Sequence, residues 1–245
     1  MSRAPSPLFT LAVRGYELDA SGTVPAGTIA RYLEATRWSI GFSEGGLLRG
    51  KLQRGVVRAQ SIEYLEPLRY PDHFVVETWI ARLGRTSVDF GHRLVREGDG
   101  AVAARSRATL VQVGPDGPLP FDPSLGELVE ARDTPAHPAL DEAAPPGARS
   151  RRWVVRPSDQ DSFLHQNQAR YIDAIEDTLR LAAGEGPPVG AQPPPRAVTV
   201  SFDREVHAGT EVEMLLWGAP GGDHRVELRR ARDGVVLSRG RAELR

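Results

Sequence analysis

The chain has 245 residues and no cysteine, which excludes disulfides, a thiol nucleophile and cysteine-based zinc or iron–sulfur sites. Its formal net charge of −1 provides no overall field that would draw it to nucleic acid or to an anionic membrane. No apolar run is long enough to cross a bilayer and the N-terminus lacks a signal-peptide pattern, so we expect a cytoplasmic protein.

The first half predicts a strand, a helix and a series of further strands. The apolar run from Leu8 to Tyr16 is the first strand. A helix begins near Pro25, because proline favours an early helical position, and Ile29 and Leu33 recur on one of its faces. Alternating polarity then predicts strands over residues 56–64, 74–82, 86–95 and 101–113.

The second half repeats the same order of elements. The tetrapeptide Ala30-Arg31-Tyr32-Leu33 returns as Ala169-Arg170-Tyr171-Ile172, which indicates an internal duplication. The predicted elements are a strand over 152–156, a helix over 167–183 and strands over 198–207, 211–217, 224–232 and 235–244. The segment between the halves is rich in proline, alanine and acidic residues, and it predicts a linker with one short helix near residues 125–131.

A long helix wrapped by an antiparallel sheet in each half is the layout of the hotdog fold. We therefore predict an α+β protein of two tandem hotdog domains. Residues 1–114 form the first domain, residues 115–150 the linker and residues 151–245 the second domain. An unrelated α+β fold is the alternative, and the internal duplication disfavours it.

The richest group of reactive side chains lies directly before the second predicted helix, where Asp161, His165 and Asn167 share one short loop. A helix start offers unpaired backbone N–H groups and a partial positive charge. Thioester hydrolysis needs groups that activate water and hold an oxyanion, and this combination supplies both. The competing interpretation is loop capping, in which Asp161 and Asn167 accept backbone N–H bonds and His165 is a surface residue.

This loop resembles the Asp-x-Asn-x-His-x-Asn-Asn-x-x-Tyr segment of the acyl-ACP thioesterases. Two further segments fit the same family. Residues 9–19 resemble its first strand, Val-Arg-x-Tyr-Glu-x-Asp, and residues 202–205 resemble its Tyr-Arg-Arg-Glu-Cys strand, with Glu205 at the Glu position. One residue departs from the pattern: Phe163 stands where the family has its first Asn, and it is a candidate wall of the substrate pocket.

The resemblance implies hydrolysis of acyl-ACP or acyl-CoA thioesters in fatty acid biosynthesis, with Asp161, His165, Asn167 and Glu205 as the catalytic group. It implies no metal or redox cofactor, and an acyl carrier protein or coenzyme A thioester as partner; a homodimer of tandem-hotdog chains stays open. Two alternatives remain. One is a hotdog dehydratase, whose Asp-x-Asn-Pro-x-His motif is one residue longer between acid and base. The other is a non-catalytic acyl-chain or acyl-carrier binding module, which Phe163 favours.

Further substrate-binding candidates lie in the first half. Asp19 begins a segment that resembles the Asp-x-x-Gly-x-Val motif of single-domain hotdog thioesterases, although a turn aspartate before glycine is the simpler interpretation. Arg49, Lys51 and Arg54 lie in a glycine-rich stretch that would meet a phosphopantetheine arm or an acidic carrier protein. Such a loop is more often only a solvated connection.

Overall fold

The computed structural model describes residues 8–42, 46, 48–50, 55–182, 194–218 and 222–244. The chain divides into two compact units. Unit 1 comprises the chain up to Tyr16 together with Arg31–His137, and unit 2 comprises Glu17–Ala30 together with the chain from Pro138 onward. Each unit combines helix with antiparallel sheet, which confirms the predicted α+β class. Within the described residues, no helix is both long and apolar enough to cross a membrane.

In unit 1 an antiparallel sheet has the strand order β1-β3-β4-β5-β2. Its strands are β1 (Leu8–Ala12), β2 (Gly55–Tyr64), β3 (His73–Leu83), β4 (Ser87–Arg96), β5 (Val102–Gly114) and β6 (Gly117–Pro118), the last of which pairs with β5. Helix α1 (Ala26–Phe42) begins in unit 2 and continues in unit 1. The predicted first strand is too long, because β1 ends at Ala12 opposite His73, the first residue of its partner β3.

In unit 2 the antiparallel strands have the order β8-β11-β10-β9-β7. Its elements are β7 (Arg149–Val154), α2 (Gln168–Ala182), β8 (Ala197–Phe202), β9 (Glu211–Gly218), β10 (Asp223–Arg230) and β11 (Val236–Glu243). Strand β8 ends five residues before the predicted end at residue 207. The N–H groups of Asp203 and Arg204 both donate to the carbonyl of Leu237, which bends the chain away from the ladder and leaves Glu205 outside the strand.

Helix α1 packs on one face of the unit 1 sheet, which we call the inner face. Tyr32 contacts Phe74 with ring centroids 4.9 Å apart, and the hydroxyl of Thr78 donates to that of Thr36 over 3.2 Å. Ile40 joins a core cluster with residues of β3, β4 and β5. Each fully buried Leu, Ile or Phe side chain contributes roughly 1.5–3 kcal/mol relative to exposure, so this face supplies much of the stability of unit 1.

The opposite, outer face of the same sheet is polar. One cross-strand row runs Glu77, Arg93, Arg105 and Glu63, with Arg93 bonded to Glu77 and Arg105 bonded to Glu63. Opposite charges on neighbouring strands are favourable, but exposed pairs of this kind contribute at most about 1 kcal/mol each. Their main effect is to keep the register in which the apolar residues point to the inner face.

Residues 129–137, which we call the strap, cross this outer face in an extended path. The predicted short helix is a 3-10 helix at Pro123–Leu128, and the strap follows it. Val129 bridges to Ile80 of β3, and Arg132 lies over the Trp79 ring at 4.0 Å. At the far end His137 contacts two strands, with 2.8 Å from Nδ1 to the hydroxyl of Ser61 and 3.0 Å from Nε2 to that of Thr109.

Gly91 of β4 is required by the close approach of Trp79 on β3. A Cβ atom at Gly91 would lie 2.3 Å from the indole ring, closer than any real contact. Because Trp79 is buried, Gly91→Ala should lower the free energy of unfolding by about 1–3 kcal/mol, measured by denaturant titration. Gly98→Ala is the matched control, since nothing lies within 4 Å of its Cβ position. Equal unfolding midpoints for the two variants would contradict the prediction.

Candidate active site

The loop that leads into α2 closes on itself through backbone hydrogen bonds. The N–H of Asp161 donates to the carbonyl of His165 at 3.0 Å, and the N–H of Leu164 donates to the carbonyl of Asp161 at 3.0 Å. Leu164 has a φ of 64°, a left-handed conformation that costs a non-glycine residue free energy. The turn therefore holds Asp161 and His165 on the same side of the loop.

Their side chains meet within this turn. Oδ2 of Asp161 lies 3.5 Å from Nδ1 of His165, and the two side chains are only 17% and 15% exposed. Oδ1 of Asp161 accepts the N–H of Phe163 at 2.9 Å, so the carboxylate is anchored with its other oxygen facing the imidazole. The opposite ring nitrogen, Nε2 of His165, is buried and has no hydrogen-bond partner among the described residues.

Phe163 covers one face of the imidazole. Its ring is stacked on that of His165 with centroids 5.8 Å apart and an interplanar angle of 20°. The side chain is half-buried. Phe163 therefore restricts how the His165 ring can move and contributes an apolar surface beside it.

Two carboxylates lie near the buried hydroxyl of Tyr171 on α2. The pKa of Tyr171 is raised well above its usual value, first by burial and then by the negative charges of Asp161 and Glu205. Asp161 and Glu205 therefore act on the same buried group, although Glu205 itself is exposed in the segment after β8.

Asn167 caps α2. Its side-chain Oδ1 accepts the N–H of Ala169 at 2.9 Å, its own N–H donates to the carbonyl of Asp159, and its carbonyl accepts the N–H of Arg170. The capping interpretation is therefore correct for this residue. The helix start was expected to offer free backbone N–H groups to an oxyanion. The N–H groups of Asn167, Ala169 and Arg170 already have partners within the chain, so they do not fill this role.

Gln168, the first residue of α2, was not identified by the sequence reasoning. Its side chain is 7% exposed, and both amide atoms lack a hydrogen-bond partner within the described part of the chain. Buried amides are normally satisfied, so this one is available to a ligand. The sequence contained a signal for this residue, because Gln168 occupies the position of the last Asn in the Asp-x-Asn-x-His-x-Asn-Asn-x-x-Tyr motif.

Asp19 lies elsewhere in unit 2, in a pocket of about 550 Å³. Its Oδ2 pairs with Arg180 of α2 at 2.5 Å, and its Oδ1 accepts the N–H of Ser21 at 2.8 Å. The turn interpretation is thus correct in part. The pocket is lined mainly by charged residues, which are Asp19, Arg151, Arg156, Asp159, Arg170, Asp173, Glu176, Asp177 and Arg180.

The most perturbed acid of this pocket is Glu176 of α2. It is 4% exposed, and its Oε2 accepts the N–H of Gly27 at 3.2 Å, at the N-terminus of α1. Burial raises the pKa of Glu176 to about 7, although the helix-start N–H groups and Arg180 oppose the shift. Gly27 is needed here, because a Cβ would overlap Asp173 at 1.8 Å. The sequence contained a signal for this residue, because Glu176 is an acidic residue beside Ile172 and Ile175 on the apolar face of α2.

The remaining predicted residues are in the basic loop. Arg49 is exposed, whereas Lys51 and Arg54 lie outside the described residues. Among the residues that the structure does describe, no group of three His, Asp or Glu side chains is arranged to hold a metal ion.

Comparisons with known proteins find similarity to thioesterases in part of the sequence and in the fold of the whole chain. The thioesterase superfamily matches residues 21–103, and no curated protein matches the chain in sequence. In structure the chain is similar to the 12:0-ACP thioesterase of Umbellularia californica, with a TM-score of 0.81 and 18% identity over 100% of this chain and 99% of that one. It is also similar to an acyl-ACP thioesterase from Bacteroides thetaiotaomicron, with a TM-score of 0.78 and 18% identity over 97% and 96% of the two chains.

A third structure is less similar. A MaoC-like dehydratase from Phytophthora capsici matches with a TM-score of 0.61 and 13% identity, over 98% of this chain and 96% of that one. The higher TM-scores belong to the two thioesterases. The match of residues 21–103 to the thioesterase superfamily and the fold that the whole chain shares with the acyl-ACP thioesterases bear out the resemblance seen in the sequence.

Proposed function

We propose that the protein is a thioester hydrolase that releases a carboxylic acid from an acyl-ACP or acyl-CoA thioester. The observation that carries the proposal is the Asp161–His165 pair, in which a carboxylate oxygen lies 3.5 Å from one imidazole nitrogen while the other nitrogen is buried without a partner among the described residues. The thioesterase superfamily match and the fold of the chain support it.

The proposal includes two tandem hotdog domains, residues 1–114 and 151–245, with residues 115–150 between them. The helix and antiparallel sheet found in each unit support this division. Such an enzyme would act in the cytoplasm, need no metal or redox cofactor, and meet neither nucleic acid nor membrane. A homodimer of such chains is compatible with this proposal.

In the proposed reaction Asp161 orients His165 through Nδ1, and Nε2 takes a proton from the attacking water. The hydroxide adds to the thioester carbonyl carbon, and the amide N–H of Gln168 donates to the resulting oxyanion. The carbon–sulfur bond then breaks, and the leaving thiolate takes the proton from His165. Glu205 adds a second negative charge that stabilises the protonated imidazole, and Asn167 positions the loop by capping α2.

Two other functions have an observation in their favour, and one experiment separates all three. The dehydratase likeness favours dehydration, and the Phe163 ring over His165 favours a binding module. A panel of acyl-CoA and acyl-ACP thioesters, including a 3-hydroxyacyl thioester, should be incubated with the protein and a thiol reagent. Thiol release supports hydrolysis. Formation of an enoyl product without thiol supports dehydration, and binding without turnover supports the module.

Phe163→Asn should keep the rate of thiol release or raise it by up to roughly tenfold. The substitution restores the family residue and frees the His165 face that the phenyl ring covers, while an amide can hydrogen-bond water. The turnover number with an acyl-CoA substrate is the measurement. Phe163→Leu is the control, since it stays apolar and should give no gain. A loss of more than tenfold in Phe163→Asn alone would show that the stacked ring is itself required.

The remaining substrate-binding residues are proposed with smaller roles. Arg49, Lys51 and Arg54 would attract an acidic carrier protein, an effect that weakens as salt screens the charges. Asp19 is held by Arg180 and by its own turn, which supports a role in shaping its pocket rather than in the chemistry.

A further inference from the structure

The interior of unit 1 contains a group of buried polar side chains that the proposed chemistry does not use. It lies between α1 and the inner face of the sheet. Arg37 is 6% exposed, and the group on the sheet is completely buried: Gln60, Thr78, His92 and Ser106. Both Nη atoms of Arg37, both amide atoms of Gln60 and the hydroxyl of Ser106 have no hydrogen-bond partner among the residues described.

Strand register places these residues together. Thr78 of β3 is opposite His92 of β4, and His92 is opposite Ser106 of β5, so the three form one row across the sheet. Gln60 of β2 is opposite Ala108, two residues along from Ser106, and therefore points to the same face. The Thr78–Thr36 hydrogen bond identifies this face as the one that α1 covers.

Arg37 follows Thr36 on α1 and brings a positive charge to this row. Burial lowers the pKa of His92 well below its usual value, and the positive charge of Arg37 lowers it further. His92 is therefore neutral at pH 7. Burial lowers the pKa of Arg37 itself only to about 10, which leaves the guanidinium protonated. The interior of unit 1 therefore holds a net cation.

Such a cation is costly unless an anion pairs with it. A buried charge without compensation costs several kcal/mol, and buried arginines are normally paired. Glu34, one turn earlier on α1, acts on Arg37 through its charge but also accepts the indole N–H of Trp38, and neither Nη atom of Arg37 forms a hydrogen bond with it. A purely hydrocarbon ligand would leave Arg37, Gln60 and Ser106 unsatisfied.

We propose that the interior of unit 1 is a binding site for an organic carboxylate, which pairs with Arg37 and accepts hydrogen bonds from Gln60 and Ser106. A planar guanidinium matches a carboxylate with two parallel hydrogen bonds. The carboxylate belongs either to a free acid or to an acyl group with a second carboxyl. The latter source rests on the proposed function and would make the substrate a dicarboxylic acyl thioester.

The first arm of the test measures binding to the full chain by calorimetry, with hexanoate and the uncharged hexanamide as probes of equal chain length. Hexanoate should bind at least about tenfold more tightly, because only hexanoate carries the negative charge that pairs with Arg37. Arg37→Met should abolish this preference, Arg37→Lys should keep part of it, and Arg58→Met, which changes an exposed arginine of β2, should leave it intact. Equal binding of both probes, or a preference for hexanoate that survives in Arg37→Met, would overturn the proposal.

The second arm identifies the source of the carboxylate and separates this proposal from the proposed function. Thiol release from hexanedioyl-CoA is compared with that from hexanoyl-CoA. Faster release from hexanedioyl-CoA, lost in Arg37→Met, assigns the site to the acyl group. Arg37-dependent binding of hexanoate without cleavage of either thioester supports the site and contradicts the hydrolase. Cleavage of both thioesters at equal rates, without Arg37-dependent binding of hexanoate, supports the hydrolase and overturns the site. If Arg37→Met does not fold, Arg37→Lys decides, since a shorter single-point cation should weaken binding by about tenfold.

Discussion

Asp161→Asn and His165→Ala should each lower the turnover number for thioester cleavage by about a hundredfold or more. The first removes the charge that orients His165, and the second removes the group that takes the proton from water. Asparagine keeps an oxygen that can accept the Phe163 N–H, so the loop of Asp161→Asn should retain its turn. Thiol release in the steady state is the measurement, and far-UV circular dichroism verifies the fold.

The controls remove the same side-chain types from exposed positions. Asp141→Asn in the segment between β6 and β7 and His73→Ala at the start of β3 should leave the turnover number unchanged. Asp19→Asn should mainly alter substrate preference, because Asp19 pairs with Arg180 in the charged pocket, whose lining includes neither Asp161 nor His165. An inactive Asp19→Asn beside an active Asp161→Asn would move the active site to the pocket of Glu176.

Glu176→Gln should flatten the dependence of stability on pH between about pH 4.5 and 7. The pKa of Glu176 is raised from 4.5 to about 7 in the folded protein, so the folded state keeps this proton to higher pH than the unfolded chain does. The stabilising contribution of this group is therefore complete below pH 4.5 and is lost as the pH rises through 7. Its full size is up to about 3 kcal/mol.

Urea titrations of both proteins at several pH values between 4.5 and 8 are the measurement. The difference in unfolding free energy between wild type and variant isolates Glu176, because groups that titrate in both proteins cancel. This subtraction is needed because His137 changes the stability in the opposite direction. Burial lowers the pKa of His137 to about 4, so its contribution is lost as the pH falls from 6.5 towards 4. Glu97→Gln, at an exposed position in the turn between β4 and β5, should leave the wild-type slope unchanged. The same slope in Glu176→Gln would show that the buried carboxylate is not protonated in the folded chain.

Local pattern was enough to predict most of the elements. Apart from the early ends of β1 and β8, the strands of both halves and the two helices form close to the predicted positions, because side-chain periodicity and turn residues are properties of the neighbouring sequence. The proximity of Asp161 and His165 could also be predicted from local sequence, because a tight turn brings side chains four residues apart to the same side. The structure adds the stacked Phe163 ring, which only the geometry of that turn determines.

The features that could not be predicted depend on distant parts of the chain. Strand β8 ends early because two N–H groups turn towards Leu237 on β11. Glu176 acquires its raised pKa from burial beside Gly27, which is 149 residues away in sequence. Arg37 belongs to a helix whose predicted apolar face does not include it, and only the packing of α1 on the sheet shows that its charge is buried. Such contacts have no counterpart in a local window of sequence.

The strap across the outer face of unit 1 determines where the chain can be cut. It belongs to a segment rich in proline, alanine and acidic residues, which would suggest an easy target for limited proteolysis, yet it is bonded to β2, β3 and β5. The hydroxyl of Thr109 already donates to Asp89, so Nε2 of His137 must donate to Thr109 and Nδ1 must accept from Ser61. A fragment that stopped at Gly114 would lose this bridge and uncover the indole of Trp79. We therefore expect the proposed domain of residues 1–114 to need the strap for its stability, so that a stable fragment extends to His137.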